Sequence, residues 1–264
     1  MTPRRRFGQH FLAPAWADKV VDAIDPRPDQ RFLEIGPGPG VLTERLGARA
    51  GHLTAIEIDR DLARDLRRTS PANIDIVEGD FLEFDLPAFI AAGPLRVAGN
   101  LPYNISSPIL FKLLQASAAS TNLVDATIML QREVADRLAA VPGTKEYGVL
   151  PIFASAQADV TRLLTLPPGA FRPAPKVNSA VVRLRFKPSI VPPESAATFE
   201  RMVKTMFTQR RKTLANALRP FAEASGIAAV SALSAAGIDP IRRPETLTMM
   251  ELLALADVFP RSKA

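Results

Sequence analysis

The chain has 264 residues and a mass of 28.6 kDa, enough for one large domain or a mid-sized domain with a small appendage. Cysteine is absent, which excludes disulfides, thiolate metal sites and cysteine nucleophiles, and the two distant histidines, His10 and His52, offer no metal cluster. The net charge of +6 favours a polyanionic partner, and residues 187–264, with 11 Lys and Arg against 7 Asp and Glu, supply +4 of it. No apolar run approaches a membrane span. The basic start is followed by His10, Asp18 and Lys19 rather than an unbroken apolar stretch, so a secretory signal fits poorly and a cytoplasmic protein is expected.

Residues 4–12 form a basic and aromatic arm, with Arg4, Arg5 and Arg6 ahead of Phe7, Phe11 and Leu12. The charges alone fit a solvated terminus, whereas the aromatics argue for packing. A helix is expected from Pro14, because proline suits a first turn and Trp16, Val20, Val21 and Ile24 recur at helical spacing. Strand 31–35 then runs into Gly36-Pro37-Gly38-Pro39-Gly40 and a helix through Val41, Leu42, Arg45 and Leu46. Strand 53–59, a charged helix through Leu62 and Leu66, and strands 74–77 and 95–98 follow, then helix 106–116 and strand 126–130. This alternation reads as βαβ units in an open parallel sheet, hence an α/β fold. Beyond residue 140 a helix at 149–156 precedes two β-type runs, 159–166 and 179–186, an expected antiparallel extension of the sheet edge. The proline-rich stretch between them, 167–176, is expected to be an extended, rigid loop without helix. After a linker at 188–193 only helical periodicity remains, which divides the chain into domains 1–188 and 189–264.

Two clusters carry chemistry. Glycines directly after a strand and before a helix let the backbone approach a ligand and turn helix amides toward it. The spacing here is Gly-x-Gly-x-Gly over Gly36, Gly38 and Gly40, not the Gly-x-Gly-x-x-Gly of dinucleotide folds. Glu57, 21 residues after Gly36, stands where a carboxylate accepts ribose hydroxyls, with Ile58 beside it. Asp80 is placed to accept from an adenine amino group, with Phe81 against the ring. Each acid could instead cap a helix, a role that fits Asp59 or Asp61. Three strand ends in register favour a bound nucleoside, and the absence of a pyrophosphate fingerprint favours S-adenosylmethionine over a nicotinamide dinucleotide.

The second cluster is Asn100-Leu101-Pro102-Tyr103. An adenine amine is a poor nucleophile because its lone pair is delocalised into the ring. Acceptors aimed at its N–H bonds, the Asn100 side-chain oxygen and the Leu101 carbonyl, favour a tetrahedral nitrogen. Pro102 stiffens the turn so that both are set in advance, and Tyr103 can stack on a base that has left its own stack. The competing reading is a plain strand-to-helix turn.

With these residues in view, the chain resembles the ribosomal RNA adenine dimethyltransferases, and among them the bacterial small-subunit enzymes. The likeness is carried by Phe7 to Leu12, Glu34 to Gly38, Glu57 to Asp59, Gly99 to Ser106, Gln131-Arg132-Glu133-Val134, Phe171 to Val177 and Gln209 to Leu214. It implies a Rossmann-like class I methyltransferase domain, with a mostly parallel seven-stranded sheet and an antiparallel edge, plus a small all-helical C-terminal domain that binds RNA. It implies transfer of methyl groups from S-adenosylmethionine, without a metal, to N6 of two adjacent adenines near the 3′ end of 16S rRNA in the assembling small subunit. A monomer suffices. The donor site would comprise His10, Leu12, Gly36, Gly38, Glu57, Ile58, Asp80, Phe81 and Asn100. The base would lie between Tyr103 and Phe171, although Phe171 also reads as a plug anchoring the proline-rich loop. Arg210, Arg211 and Lys212 would contact phosphate from a helix, with Arg4, Arg5 and Arg6 as further RNA contacts. Position 10 is commonly asparagine in the family, so the side chain of His10 is a departure. Leu101, where DNA-type enzymes often carry proline, would leave room for a methylated amine to react again.

Three other readings compete. An enzyme for another adenine, such as a large-subunit resistance methyltransferase, would share the pocket. An assembly factor without catalysis would rely on the basic arm and tail, and an intact Asn-Leu-Pro-Tyr loop speaks against it. A nicotinamide oxidoreductase is disfavoured by the glycine spacing.

Overall fold

The computed structural model describes residues 10–260; Arg4, Arg5 and Arg6 lie outside the described residues. The chain divides into two compact units. One ends its first stretch at Asp136 and takes in Gln157–Pro188; the other is Arg137–Ala156 together with the chain from Ser189 onward. A single cut after residue 188 therefore misses an excursion. The physical reason is apolar: Tyr147, Ile152 and Ala156 share one core with Phe199, Met202, Leu218 and Phe259.

The first unit begins with β1 (Phe11–Leu12) and α1 (Pro14–Ile24), whose Ala17, Val20, Val21 and Ile24 are buried. There follow β2 (Arg31–Ile35), α2 (Val41–Gly47), β3 (His52–Glu57), α3 (Arg60–Thr69), β4 (Ile74–Glu78), α4 (Leu86–Ala91), β5 (Leu95–Asn100), α5 (Ser106–Ala119), β6 (Leu123–Gln131) and α6 (Arg132–Leu138). After α7 (Val149–Gln157), which lies in the second unit up to Ala156, the first unit resumes with β7 (Ala158–Leu166), β8 (Phe171–Arg172) and β9 (Ser179–Phe186). Seven strands form one sheet in the order β4-β3-β2-β5-β6-β9-β7, parallel from β4 to β6 and antiparallel at β9 and β7. The expected α/β architecture with an antiparallel edge is the observed one.

Strand order reverses between β2 and β5. Successive strands step outward on one side through β3 and β4, and on the other through β6. In open α/β sheets the crevice at the carboxyl ends of such strands is where ligands bind. Gly99 lets the two strands meet there, since a Cβ on it would lie 2.6 Å from the Ile35 carbonyl oxygen.

Three details differ from the sequence reading. β3 stops at Glu57, because Asp59 caps α3 by accepting from the Asp61 N–H. The proline-rich connection contains a 3-10 turn at Pro168–Ala170, closed by the Ala170 N–H on the Pro167 carbonyl. Proline is tolerated at the start of such a turn because its missing N–H has no partner to lose. That connection also pairs β8 with β1, Phe11 opposite Arg172 and Leu12 opposite Phe171, a two-residue ribbon too short to show a period in sequence.

The second unit adds α8 (Pro193–Thr208), α9 (Leu214–Ala224), α10 (Ala229–Ala235) and α11 (Met249–Asp257) around a core of their apolar stripes. α11 starts at a capping box, with Thr248 and Glu251 satisfying each other's backbone amides. Burial within that unit pushes the Tyr147 phenol up to about 12, while its hydroxyl donates to the Leu247 carbonyl at 3.0 Å. Among the described residues no helix is long and apolar enough to cross a membrane.

Candidate active site

The switch point opens into a pocket lined from the ends of β2, β3, β4 and β5. Gly36 and Gly38 supply its glycine edge, both in the left-handed region with φ of 68° and 59°. Gly38 is constrained twice over, because a Cβ there would also press on the Phe11 ring at 3.0 Å. Phe11 thus closes over the glycine loop, a contact that the sequence alone did not reveal.

Glu57 is buried and braces this edge. One carboxylate oxygen accepts from the Gly38 N–H at 2.9 Å and the other from the Asp59 N–H at 2.9 Å. Burial raises its pKa, and these backbone donors oppose the rise. A carboxylate has about four acceptor sites, so both oxygens retain capacity for a ligand's hydroxyls. Asp80 also lines the pocket, and one of its oxygens accepts from the Leu82 N–H at 2.8 Å. The turn that follows is fixed by Lys112 of α5, which donates to the carbonyls of Phe81, Leu82 and Phe84 at 2.8, 2.8 and 2.6 Å. Burial lowers the Lys112 pKa, with Asp80 and Asp85 pulling it back. Its ammonium also lies 5.2 Å from the Phe81 ring centre. Lys112 is the one charged residue of α5, yet its partners lie about thirty residues earlier, so the sequence does not name them.

Asn100 ends β5 with its amide pinned. Its Nδ2 donates to the His10 carbonyl at 2.6 Å. A carbonyl can only accept, so this bond fixes which way the carboxamide points and keeps Oδ1 as the free acceptor. Leu101, Pro102 and Tyr103 line the same pocket, and Leu101 is buried. The Tyr103 hydroxyl sits 2.7 Å from Ser179 Oγ. Burial raises its pKa and the Ser179 contact lowers it. His10 lies against it, ring centres 5.2 Å apart at 26°, with Nδ1 2.8 Å from the Pro173 carbonyl.

Of the expected site residues, the structure brings together His10, Gly36, Gly38, Glu57, Ile58, Asp80, Phe81, Asn100, Leu101, Pro102 and Tyr103. Phe171 is a correction. It is fully buried in a core with Leu12, Val20, Met129 and Val181, so it plugs the proline-rich connection and offers no face to a base. The ring facing Tyr103 is His10 instead. The Leu12 side chain is buried in the same core and does not line the pocket. Arg210, Arg211 and Lys212 lie in the turn between α8 and α9 rather than on a helix. Arg210 is spent internally, donating to Glu245 at 2.7 Å and to the Thr144 carbonyl at 3.1 Å, whereas Arg211 and Lys212 are exposed.

The lining tests the choice of ligand. Among the described residues it carries two carboxylates, Glu57 and Asp80, and no lysine or arginine. Such a wall suits a nucleoside bearing a positive sulfonium and an amino group. The apolar Ile35, Ile58 and Phe81 provide surfaces for a flat base.

The chain matches the ribosomal RNA adenine dimethylase family over residues 1–255. It is 46% identical over 257 residues to the ribosomal RNA small subunit methyltransferase A of Aromatoleum aromaticum, covering 96% of this chain and 93% of that protein. Its counterpart of the same name in Acinetobacter baylyi is 45% identical over 261 residues, 96% of this chain and 91% of the other. Among solved structures it is similar to a dimethyladenosine transferase from Plasmodium falciparum, with TM-score 0.77, 26% identity and coverage of 93% and 96%. It is also similar to the 23S rRNA methyltransferase ErmE, with TM-score 0.67, 28% identity and coverage of 94% and 99%. The chain belongs to the ribosomal RNA adenine dimethylase family.

Proposed function

We propose that this chain transfers methyl groups from S-adenosylmethionine to N6 of two adjacent adenines near the 3′ end of 16S rRNA, acting as a cytoplasmic monomer on the assembling small subunit. The observation that carries the reading is the pinned carboxamide of Asn100 at the edge of an anionic, glycine-rimmed pocket. Support for the small subunit comes from relatives of that name at 45–46% identity.

S-adenosylmethionine, when bound, supplies an electrophilic methyl group on a sulfonium. Glu57 would accept the ribose hydroxyls, Asp80 the adenine amino group, and Gly36 and Gly38 would let the backbone lie close, with Ile58, Phe81 and His10 completing the wall. Asn100 Oδ1 and the Leu101 carbonyl would accept from the target amine and bias it toward a tetrahedral nitrogen. Fixing both acceptors before the base arrives removes the cost of orienting them during reaction. Tyr103 would stack on the base. The amine becomes acidic as it is alkylated, so no strong base is required of the chain. Leu101 in place of proline would leave space for a second transfer. Arg4, Arg5, Arg6, Arg211 and Lys212 would hold RNA phosphates.

The test is incubation of the protein with labelled donor and unmethylated small subunits, followed by mapping of the modified nucleotides. Dimethyladenine at two neighbouring 16S positions is expected. No label in 16S rRNA, or label away from two neighbouring adenines near its 3′ end, would contradict the substrate.

A further inference from the structure

A second cleft, of about 400 Å³, lies at the same end of the sheet. It forms where β6 gives way to α6 and where the proline-rich connection enters β9, so Gln131 and Arg132 line it together with Lys176, Val177 and Asn178. Its floor is fixed backbone. Gln131 pairs with Ser179 across the sheet, and the Arg132 N–H donates to the Asn178 carbonyl at 3.0 Å. The cleft also adjoins the Asn100–Tyr103 loop, because the Tyr103 hydroxyl touches Ser179, the residue after Asn178. One strand residue advances about 3.3 Å, so the cleft begins within a nucleotide's length of that ring.

Its chemistry is opposite to that of the first pocket. Arg132 and Lys176 bring two cations. The carboxylate nearest Arg132 in an ion pair is Asp136 at 3.9 Å, and Asp136 is already paired more closely with Arg162, so the Arg132 charge is only weakly compensated. Val177 is 45% exposed, an apolar surface beside Pro168. The carboxamides of Gln131 and Asn178 and the carboxylate of Glu133 add donors and acceptors of the kind that read a base edge. Cations alone would suit any anion, and an apolar wall alone any hydrophobe. Their combination with carboxamides suits a nucleotide.

We infer that this cleft holds the nucleotide next to the target adenine, with its phosphate on Arg132 and Lys176 and its base against Val177 and the carboxamides of Gln131 and Asn178. The inference rests on the reading of the Asn100–Tyr103 loop as the seat of the target base. Of two adjacent adenines, the one whose partner lies on the cleft side would fill loop and cleft together with that partner, and when the other takes the loop the cleft would hold the nucleotide beyond the pair.

The experiment uses an RNA hairpin with two adjacent adenines in its loop, and two versions in which the nucleotide on the 5′ or the 3′ side of the target is abasic. For the unaltered protein, one abasic version binds about tenfold more weakly than the intact hairpin. Lys176→Ala with Asn178→Ala weakens the intact hairpin about tenfold and no longer distinguishes that abasic version, while donor affinity, which also reports folding, is unchanged. Lys176→Glu alone, at an exposed position, repeats the loss. Equal abasic penalties in the unaltered and altered proteins overturn the cleft inference by itself. Normal turnover by Asn100→Ala overturns the loop reading, and the cleft inference with it.

Discussion

The two ends of the seven-stranded sheet do opposite work with similar residues. At the amino end, Arg96 of β5 is buried and fully engaged. It meets Asp125 of β6 through two bonds at 2.9 and 2.8 Å, and its remaining N–H groups reach the Ile24 and Asp25 carbonyls and Gln30. Arg183 of β9 adds bonds to the Ala23 and Ile24 carbonyls, so the end of α1 is tied to three strands. At the carboxyl end of the same strands, Asn100 and Asp80 keep acceptor atoms for an incoming ligand. Charge that is wholly satisfied holds the sheet together; polar groups left with capacity hold something else.

That contrast can be broken most forcefully at Asp125. Asp125→Ala leaves Arg96 buried without its counter-charge and is expected to cost about 3–5 kcal/mol of stability, read as a lower denaturant midpoint. Donor affinity, measured where the variant remains folded, should not change. A selective loss of donor binding would show that the two ends are not separable.

Glu34 of β2 sharpens the comparison, because it is buried and its Oε2 has no hydrogen-bond partner. Thr43 lies beside it, but neither Thr43 Oγ1 nor Glu34 Oε2 reaches hydrogen-bond geometry. Burial lifts its pKa from 4.5 to about 8. The native chain therefore holds a proton that the unfolded chain releases. The fold is unpenalised by this group below pH 4.5 and loses stability as pH rises toward about 8. Between pH 4.5 and 7 that amounts to about 3 kcal/mol. Glu34→Gln should flatten this fall in a series of denaturations from pH 4 to pH 8, and an unchanged slope would assign it to other groups.

A smaller effect is expected at the rim. Gly38→Ala forces a side chain into the left-handed region and against Phe11, at about 1–2 kcal/mol. Here donor affinity should fall roughly tenfold by calorimetry, with only a slight loss of thermal stability. The reverse pattern would make Gly38 a purely structural residue.

Much of this was legible in the sequence, for identifiable reasons. Buried strands alternating with helices, as at 31–35 and Val41–Gly47, give a strong local signal. So do Gly36, Glu57, Asp80 and Asn100, because strand ends in register converge on a switch point. What was hidden depends on contacts distant in sequence. Phe171 reads equally well as wall or plug until the pairing of β8 with β1 buries it. Arg210 reads as a phosphate contact until Glu245, 35 residues on, is seen to hold it. Residues 137–156 carry no mark of the unit they join, because their apolar positions match only partners far along the chain. Lys112 shows the same limit, its three carbonyl partners lying about thirty residues earlier.

The central claim is that one pocket presents a donor to a pre-set acceptor at Asn100. It is tested most directly by measuring donor binding and methyl transfer together in Asn100→Ala. Donor affinity should stay within about threefold, while turnover falls by about a hundredfold to a thousandfold, the loss typical of removing one preorganised group from a reacting centre. Turnover near that of the unaltered protein, with donor binding intact, would contradict the account.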